Sequence, residues 1–144
     1  MLHFNALFEP DTEKGGFVVT FPDLKWGVTQ GDTEQEALDM AVDALQMIVD
    51  DYIEHGKPLP IPSKRRGRKY RPVRLPGLQS AKVELYNAFL ASGLRKAELA
   101  RRLKIPGSNI DRLFSMSHQS RLDQIEAAFK ALGKELTIDI RDAA

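Results

Sequence analysis

The sequence contains no cysteine, only three histidines and no long hydrophobic run. Without cysteine there is neither a disulfide nor a thiolate metal site, and His3, His55 and His118 lack the spacing of zinc ligands. No stretch approaches the roughly 18 apolar residues that span a membrane, and the first ten residues do not form a secretion signal. We therefore expect a soluble, cytoplasmic protein without metal, cofactor or membrane segment.

Catalytic motifs are also missing. The sequence has no glycine-rich phosphate loop, and no histidine has a plausible nucleophile close to it in sequence. Most carboxylates of the first half fall on a predicted helix surface rather than in a cluster at strand ends. These absences predict that the protein is not an enzyme.

The net charge of +1 over 144 residues conceals a strong segregation of charge along the chain. Residues 1–56 carry twelve Asp or Glu and two Lys, residues 57–76 carry eight Lys or Arg and no acid, and residues 77–144 carry eleven bases and eight acids. Such a division favours a cationic partner for one end and an anionic partner for the other. The length accommodates two small domains, which we place at residues 1–76 and 77–144.

The sequence of the first half predicts three strands and one helix. Short Phe- and Val-rich segments at 3–10 and 16–21, separated by the turn-forming DTEKGG, predict a β-hairpin, and Trp26–Thr29 predicts a third strand. Thr33 followed by Glu36 forms a capping box, the signature of a helix start.

The predicted helix runs to Gly56 and is amphipathic. Its apolar residues recur at spacings of three and four, so one face covers the sheet and the opposite face displays carboxylates. These carboxylates are either solvated or neutralised by a cationic protein or by the basic segment that follows. Trp26 is either a core residue or an interface anchor. For contact with a cationic partner protein we nominate five residues: Asp23, Trp26, Asp39, Asp43 and Asp50.

A basic segment follows the helix. Prolines 58, 60 and 62 favour an extended path, and the run KRRGRK at 64–69 is either a solvated linker or a nonspecific contact to a phosphate backbone. The residues from Tyr70 to Leu75 can add a strand to the first module, which Pro72 would confine to an edge of the sheet.

The second half predicts helices. The segments are Ser80–Ser92, Lys96–Leu103, Ser108–Phe114 and Ser120–Leu132, the last with a capping box formed by Ser120 and Asp123. The two short helices around KIPG have the spacing of a helix-turn-helix, whose second helix presents its N-terminal residues to DNA bases.

We therefore nominate Ser108, Asn109 and Arg112 for base contacts, and Lys96, Arg101 and Arg102 for phosphate contacts. The turn position usually held by glycine is Lys104. It must either adopt a left-handed conformation, at a cost of about 1 kcal/mol, or use a different turn.

The chain closes with ELTIDI, in which Leu136, Ile138 and Ile140 alternate with polar residues and predict one β-strand. A lone strand needs a partner. It either pairs with its copy in a second molecule, giving a two-fold dimer that places two recognition helices one DNA turn apart, or it joins the N-terminal sheet. We favour the dimer.

Several stretches resemble a known family. GGFVVTFPDL, TQGDT and EQEALDMAVDAL resemble the HicB family of antitoxins, and AKVELYNAF, RKAELARRL and DRLFSMSHQSRLDQIEAAFKALG resemble the helix-turn-helix branch of that family. After FPDL, where the family commonly has proline, glycine and a small residue, this sequence has Lys25, Trp26, Gly27 and Val28. The match spans most of the chain.

This resemblance implies an α+β protein. Its first module would be a partial ribonuclease H fold of three strands, a helix and a further strand, and its second a helical helix-turn-helix domain. The first module would cover the active site of a small basic toxin, HicA, which is an mRNA-cleaving ribonuclease. The second would repress the operon as a dimer or tetramer on operator DNA. The alternative function is a stand-alone transcriptional regulator whose first module binds a small molecule or only oligomerises.

Overall fold

The structure is a computed structural model that describes residues 3–24 and 26–143. It divides into two compact units, residues 1–80 and 81–144. The first unit is a sheet covered by a helix and the second is helical, so the predicted α+β class is confirmed.

The sheet of the first unit has four antiparallel strands. They are β1 (Phe4–Pro10), β2 (Phe17–Thr20), β3 (Val28–Gly31) and β4 (Tyr70–Val73), in the spatial order β3-β2-β1-β4. The predicted hairpin is confirmed as β1 and β2, and Pro72 lies on an edge strand as expected. The third strand begins at Val28 rather than at Trp26, because Gly27 has a φ of 120° and interrupts extended backbone.

Helix α1 (Glu34–Glu54) covers one face of this sheet. Thr33 caps it as predicted, since its hydroxyl accepts a hydrogen bond from the Glu36 amide at 3.1 Å. The reciprocal half of the capping box is wrong by one residue: the Glu36 carboxylate accepts from the amide of Asp32, at 3.3 Å, instead of that of Thr33. The helix ends before Gly56, which has a φ of 63°.

The core of the first unit lies between the sheet and α1. Alternate residues of β1 point inward, and the helix contributes its apolar stripe at spacings of three and four. The buried side chains include Phe4, Ala6, Phe8, Val19, Val73, Ala37, Ala41, Leu45, Ile48, Val49, Tyr52 and Ile53.

Residues 57–69 form no helix or strand, yet they are attached to the sheet rather than free. The Ser63 carbonyl accepts a hydrogen bond from the Asn5 side chain at 3.2 Å, and the Ser63 amide and hydroxyl both donate to Asp23. The proline-rich segment is therefore an ordered part of the first unit.

The helical part of the chain consists of four helices, α2 (Gly77–Ser92), α3 (Lys96–Leu103), α4 (Gly107–Phe114) and α5 (Leu122–Ala131). Within the second unit, apolar residues of all four are buried, among them Val83, Leu85, Tyr86, Phe89, Leu99, Ile110, Leu113, Phe114, Ile125 and Phe129. The predicted Ser120 capping box is wrong. Helix α5 is capped at Arg121, whose amide donates to the Gln124 side chain at 3.1 Å.

Residues 134–143 form no strand within the single chain. Leu136 is half-buried, whereas Ile138 and Ile140 are 67% and 88% exposed. All four strands of the N-terminal sheet come from residues 4–73. The predicted terminal strand would pair with the same strand of a second molecule, and the structure describes a single chain. Pairing through Leu136, Ile138 and Ile140 therefore stays a prediction.

Candidate functional site

The connection between α3 and α4 is a tight turn of three residues, 104–106. Lys104 adopts the left-handed conformation, with a φ of 55° and a ψ of 44°, which confirms the first of our two alternatives for this turn. The Ile105 amide donates to the Ala100 carbonyl at 3.1 Å and the Lys104 amide to that of Arg101 at 3.2 Å. These two bonds form a Schellman motif, which closes the end of α3 and compensates for the backbone cost at Lys104.

Buried residues hold α3 and α4 against the rest of the second unit. Leu99 and Ala100 face inward from α3, and Ile110, Leu113 and Phe114 face inward from α4. The ring of Phe114 lies 5.6 Å from that of Tyr86 and 5.1 Å from that of Phe89, so α2 supports the base of α4. The helix pair is a rigid element rather than two independent surface helices.

The three nominated phosphate contacts are exposed but have partners within the unit. Lys96 Nζ lies 2.6 Å from Asp111, and Arg101 and Arg102 both pair with Glu98. Arg102 also donates to the Ala131 carbonyl at 3.0 Å. Exposed ion pairs of this kind contribute little stability, so Lys96 and Arg101 exchange partners at small cost. Arg102 is more constrained because it joins α3 to the end of α5.

The three nominated base contacts lie at the start and on the outward side of α4. Ser108 and Arg112 are exposed, and Asn109 is half-buried. Within the described residues, the Arg112 guanidinium forms no ion pair. Asn109 and Arg112 also line a shallow cavity of about 180 Å³ bounded by α3, α4 and α5. The helix thus presents an arginine that is available to a ligand.

Lys82 is a residue of this site that the sequence analysis missed. It is fully buried, and its ammonium donates to the carbonyls of Arg112, Ser115 and His118 at 3.0, 2.7 and 2.6 Å. These carbonyls belong to the end of α4 and the turn after it, where a positive charge also complements the helix dipole. Lys82 therefore fixes the C-terminal end of the second helix of the pair.

Of the five residues nominated for protein contact, three lie on α1. Asp39 and Asp43 are exposed and Asp50 is half-buried, and their spacing places them on one face of the helix. Met40 and Met47, 42% and 68% exposed, adjoin this acidic face. The carboxylate of Asp39 accepts a hydrogen bond from Gln35 at 3.0 Å, which is a neutral partner.

Trp26 is 47% exposed and Val28 is 71% exposed, so the side chain of Trp26 is not a core residue of the described chain. The neighbouring Gly27 packs against the sheet-facing side of α1: a Cβ atom there would stand 2.3 Å from Cδ1 of the buried Ile48. Only glycine permits this approach together with a φ of 120°. The loop therefore presents an exposed aromatic side chain next to a glycine that is fixed against α1.

Asp23 has a different environment. Its side chain is only 10% exposed, and it accepts hydrogen bonds from the Ser63 amide and hydroxyl, at 2.8 and 2.6 Å, and from Arg65 at 3.1 Å. Burial raises the pKa of Asp23, but the hydrogen bonds from Ser63 and Arg65 outweigh it and leave the pKa below its ordinary value. Asp23 anchors the basic segment, and a contact with another protein would have to displace these donors.

Two kinds of site are not found in the part of the chain that the structure describes. No group of three or more His, Asp or Glu side chains is arranged to hold a metal ion. No helix among residues 3–24 and 26–143 is long and apolar enough to cross a membrane.

Comparison with known proteins bears on both units. Residues 3–84, more than half of the chain, match the family model of the HicB-like antitoxins of bacterial toxin-antitoxin systems. The chain belongs to the HicB-like antitoxin family. Antitoxins are regulatory proteins and not enzymes, in agreement with the prediction from the sequence.

Relatives match over most of the chain. Antitoxin HicB of Escherichia coli strain K12 is 40% identical over 125 residues, 87% of this chain and 90% of that protein. Antitoxin HicB 1 of Photorhabdus laumondii is 37% identical, over 96% of this chain and 87% of that protein. Antitoxin HicB of Pseudomonas fluorescens is 33% identical, over 97% of this chain and 96% of that protein. A chain of a toxin-antitoxin complex from Streptococcus pneumoniae is 36% identical, covers 44% of this chain and 45% of that chain, and has a TM-score of 0.41.

Proposed function

We propose that this HicB-like antitoxin pairs with a basic, HicA-type mRNA-cleaving ribonuclease and neutralises it by covering its active site with residues 1–76. The observation that carries this proposal is that the first unit has both an acidic face on α1 and an exposed tryptophan, Trp26. Exposed aromatic side chains anchor protein interfaces, and complementary charge guides association.

Two cations of the basic segment pair with carboxylates other than Asp39 and Asp43. They are Arg65, bound to Asp23, and Arg71, bound to Glu34 at 3.1 Å. In the described part of the chain, Asp39 and Asp43 form no ion pair. This favours an external cationic partner for these carboxylates.

Coexpression with the cognate toxin, followed by mass measurement of the copurified complex, tests the pairing. We expect Trp26→Ala to weaken the complex by about 2 kcal/mol, or about 30-fold. Asp39→Asn with Asp43→Asn should mainly slow association at low salt. The matched control is Asp123→Asn with Glu126→Gln, which removes two carboxylates from the second unit.

Two outcomes would contradict the proposal. If the control weakens the complex as much as the α1 variant does, net charge rather than the acidic face governs binding. If the chain copurifies with no toxin and still binds DNA, the stand-alone regulator is the better function.

We further propose that residues 77–144 bind operator DNA as a dimer, with α4 in the major groove. Three features support this: the three-residue turn, the rigid support of α4, and the free guanidinium of Arg112. Ser108 and Asn109 lie on the same helix at its N-terminal end, where base contacts occur in this motif. We assign contacts with the DNA phosphates to Lys96, Arg101 and Arg102.

The test is a shift assay on the promoter upstream of the antitoxin's own gene. Arg112→Ala should cost about 1–3 kcal/mol and relax discrimination at one base pair per half-site. Lys130→Ala, which removes an exposed cation of α5, is the control and should bind normally. Unchanged affinity and specificity of Arg112→Ala would remove Arg112 from base readout.

A further inference from the structure

The basic loop, residues 64–69, is held at both ends. On one side Ser63 is fixed to Asp23 by two hydrogen bonds of 2.8 and 2.6 Å. On the other side the Tyr70 amide donates to the Gly67 carbonyl at 3.3 Å, and the Phe8 amide donates to the Lys69 carbonyl at 2.7 Å. The Asp23 carboxylate holds Ser63 with charge-assisted bonds, which are the stronger kind. The loop is therefore ordered before any ligand arrives.

Only one cation of this loop is engaged. Arg65 pairs with Asp23 and lies 5.9 Å from the centroid of the Tyr70 ring. Lys64, Arg66, Arg68 and Lys69 are exposed, and in the described part of the chain their side chains form no ion pair. The loop carries no acidic residue, so its positive charge is uncompensated locally.

A cavity of about 190 Å³ opens beside the loop. Arg68 and Lys69 line it together with Arg71, Glu34 and the edges of Phe8, Pro10 and Phe17. Glu34 is bound to Arg71 at 3.1 Å, which leaves the charges of Arg68 and Lys69 without an acidic counterpart among the lining residues. Two cations therefore converge at one concave place on the β4 edge of the sheet.

We propose that the basic loop binds the phosphate backbone of the operator duplex. This inference rests on the proposed operator binding and adds a second contact to it. A basic toxin would be repelled by the loop, whereas a polyphosphate matches several cations in a row. The basic loop and the helix-turn-helix lie on one chain. Once either of them has bound the DNA, the effective concentration of DNA around the other is raised. Pre-ordering lowers the entropic cost of the contact.

The test uses the full chain and measures the dissociation constant on the operator duplex by fluorescence anisotropy across a salt series. The variant is Arg66→Gln with Arg68→Gln and Lys69→Gln, and Arg65 is kept because it anchors the loop. The matched control, Lys14→Gln with Lys130→Gln and Lys134→Gln, removes the same charge elsewhere.

Each phosphate contact contributes about 0.9 to the slope of log affinity against log salt. We expect the loop variant to lower that slope by about 2 to 3 per bound protomer, equally on operator and on scrambled duplex, because phosphate contacts carry no sequence information. The control should keep the wild-type slope. Arg66→Gln alone, which leaves the cavity intact, should lower the slope by about 0.9 per bound protomer and serves if the triple variant fails to fold.

Three results would overturn the inference. An unchanged slope, or an equal fall in the control, means that the loop does not touch DNA. A loss of binding to single-stranded RNA of the same length, with operator binding intact, assigns the loop to RNA. If the wild-type chain binds no operator at all, the proposed repression fails together with this inference. If the wild-type chain binds the operator and the loop variant has the same salt slope, only this inference fails.

Discussion

Replacing Lys82 with methionine should selectively destabilise the helical unit. Methionine fills a similar volume but cannot donate to the carbonyls of Arg112, Ser115 and His118, which Lys82 reaches at 2.6 to 3.0 Å. A hydrogen bond to a charged group contributes about 1.5–3 kcal/mol, and a buried acceptor left without its donor costs about 1–3 kcal/mol.

The structure reduces this loss in part. Ser120 also donates to two of the three carbonyls, with its amide to His118 at 3.1 Å and with its hydroxyl to Arg112 at 3.4 Å. Methionine also avoids burying an ammonium, whose desolvation opposes the gain from its hydrogen bonds. We therefore expect a net loss of about 2–4 kcal/mol. A unit of this size has a total stability of roughly 3–10 kcal/mol, so the variant would be close to unfolding at 37 °C.

The chain provides its own internal control for the assay. Its single tryptophan, Trp26, lies in the first unit, so tryptophan fluorescence follows that unit alone, while far-UV circular dichroism follows α1 of the first unit together with the helices of the second. In urea, Lys82→Met should shift the dichroism transition and leave the fluorescence transition in place. Lys134→Met, at an exposed lysine, should shift neither.

A dichroism shift below about 0.5 kcal/mol would refute this reasoning, because three buried carbonyls would then have found other donors. An equal shift of both transitions would also contradict it. Operator affinity should fall along with stability in Lys82→Met, and Lys82→Arg, which keeps a charged donor, should recover part of both.

Four further predictions use other features. Lys104→Gly should stabilise the second unit by about 1 kcal/mol in urea unfolding, because glycine adopts the left-handed turn without strain. Gly27→Ala should destabilise the first unit by about 1–3 kcal/mol, seen by fluorescence, since it adds both a clash and a strained φ. Hydrogen bonds from Ser63 and Arg65 hold the pKa of Asp23 below its ordinary value of 3.8. The stability that Asp23 contributes is therefore complete above pH 3.8 and is lost as the pH falls through the depressed pKa. Asp23→Ala should abolish this part of the acid dependence of unfolding, measured between neutral pH and pH 2. Ile138→Asp with Ile140→Asp should convert the predicted dimer to a monomer in sedimentation, and a dimer that persists would contradict strand pairing.

Features set by neighbouring residues were predictable from the sequence. The Thr33 cap depends on a residue three positions away. The spacing of two short helices placed a turn at Lys104 and left two conformations open for it, of which the structure has the left-handed one. The exposed positions of Arg112, Asp39 and Asp43 followed from helical periodicity in the same way.

Features that join distant residues were not predictable. The donors to Asp23 lie 40 and 42 positions away, and the acceptors of Lys82 lie 30 to 36 positions away. In sequence, Lys82 is one more lysine on an amphipathic helix, and the proline-rich run is an ordinary linker. Only the tertiary fold shows that one is a buried cap and the other an anchored loop.

The position of β4 has a consequence for how the antitoxin becomes active during synthesis. Strand β4 pairs with β1, but it is made only after α1 and the basic loop. A nascent chain that has reached Gly56 already displays the acidic face, yet its sheet still has β1 as an open edge, and open edges promote aggregation. The acidic face is thus synthesised before the sheet beneath it is complete, and the ribosome must add Tyr70–Val73 before β1 has its second neighbour.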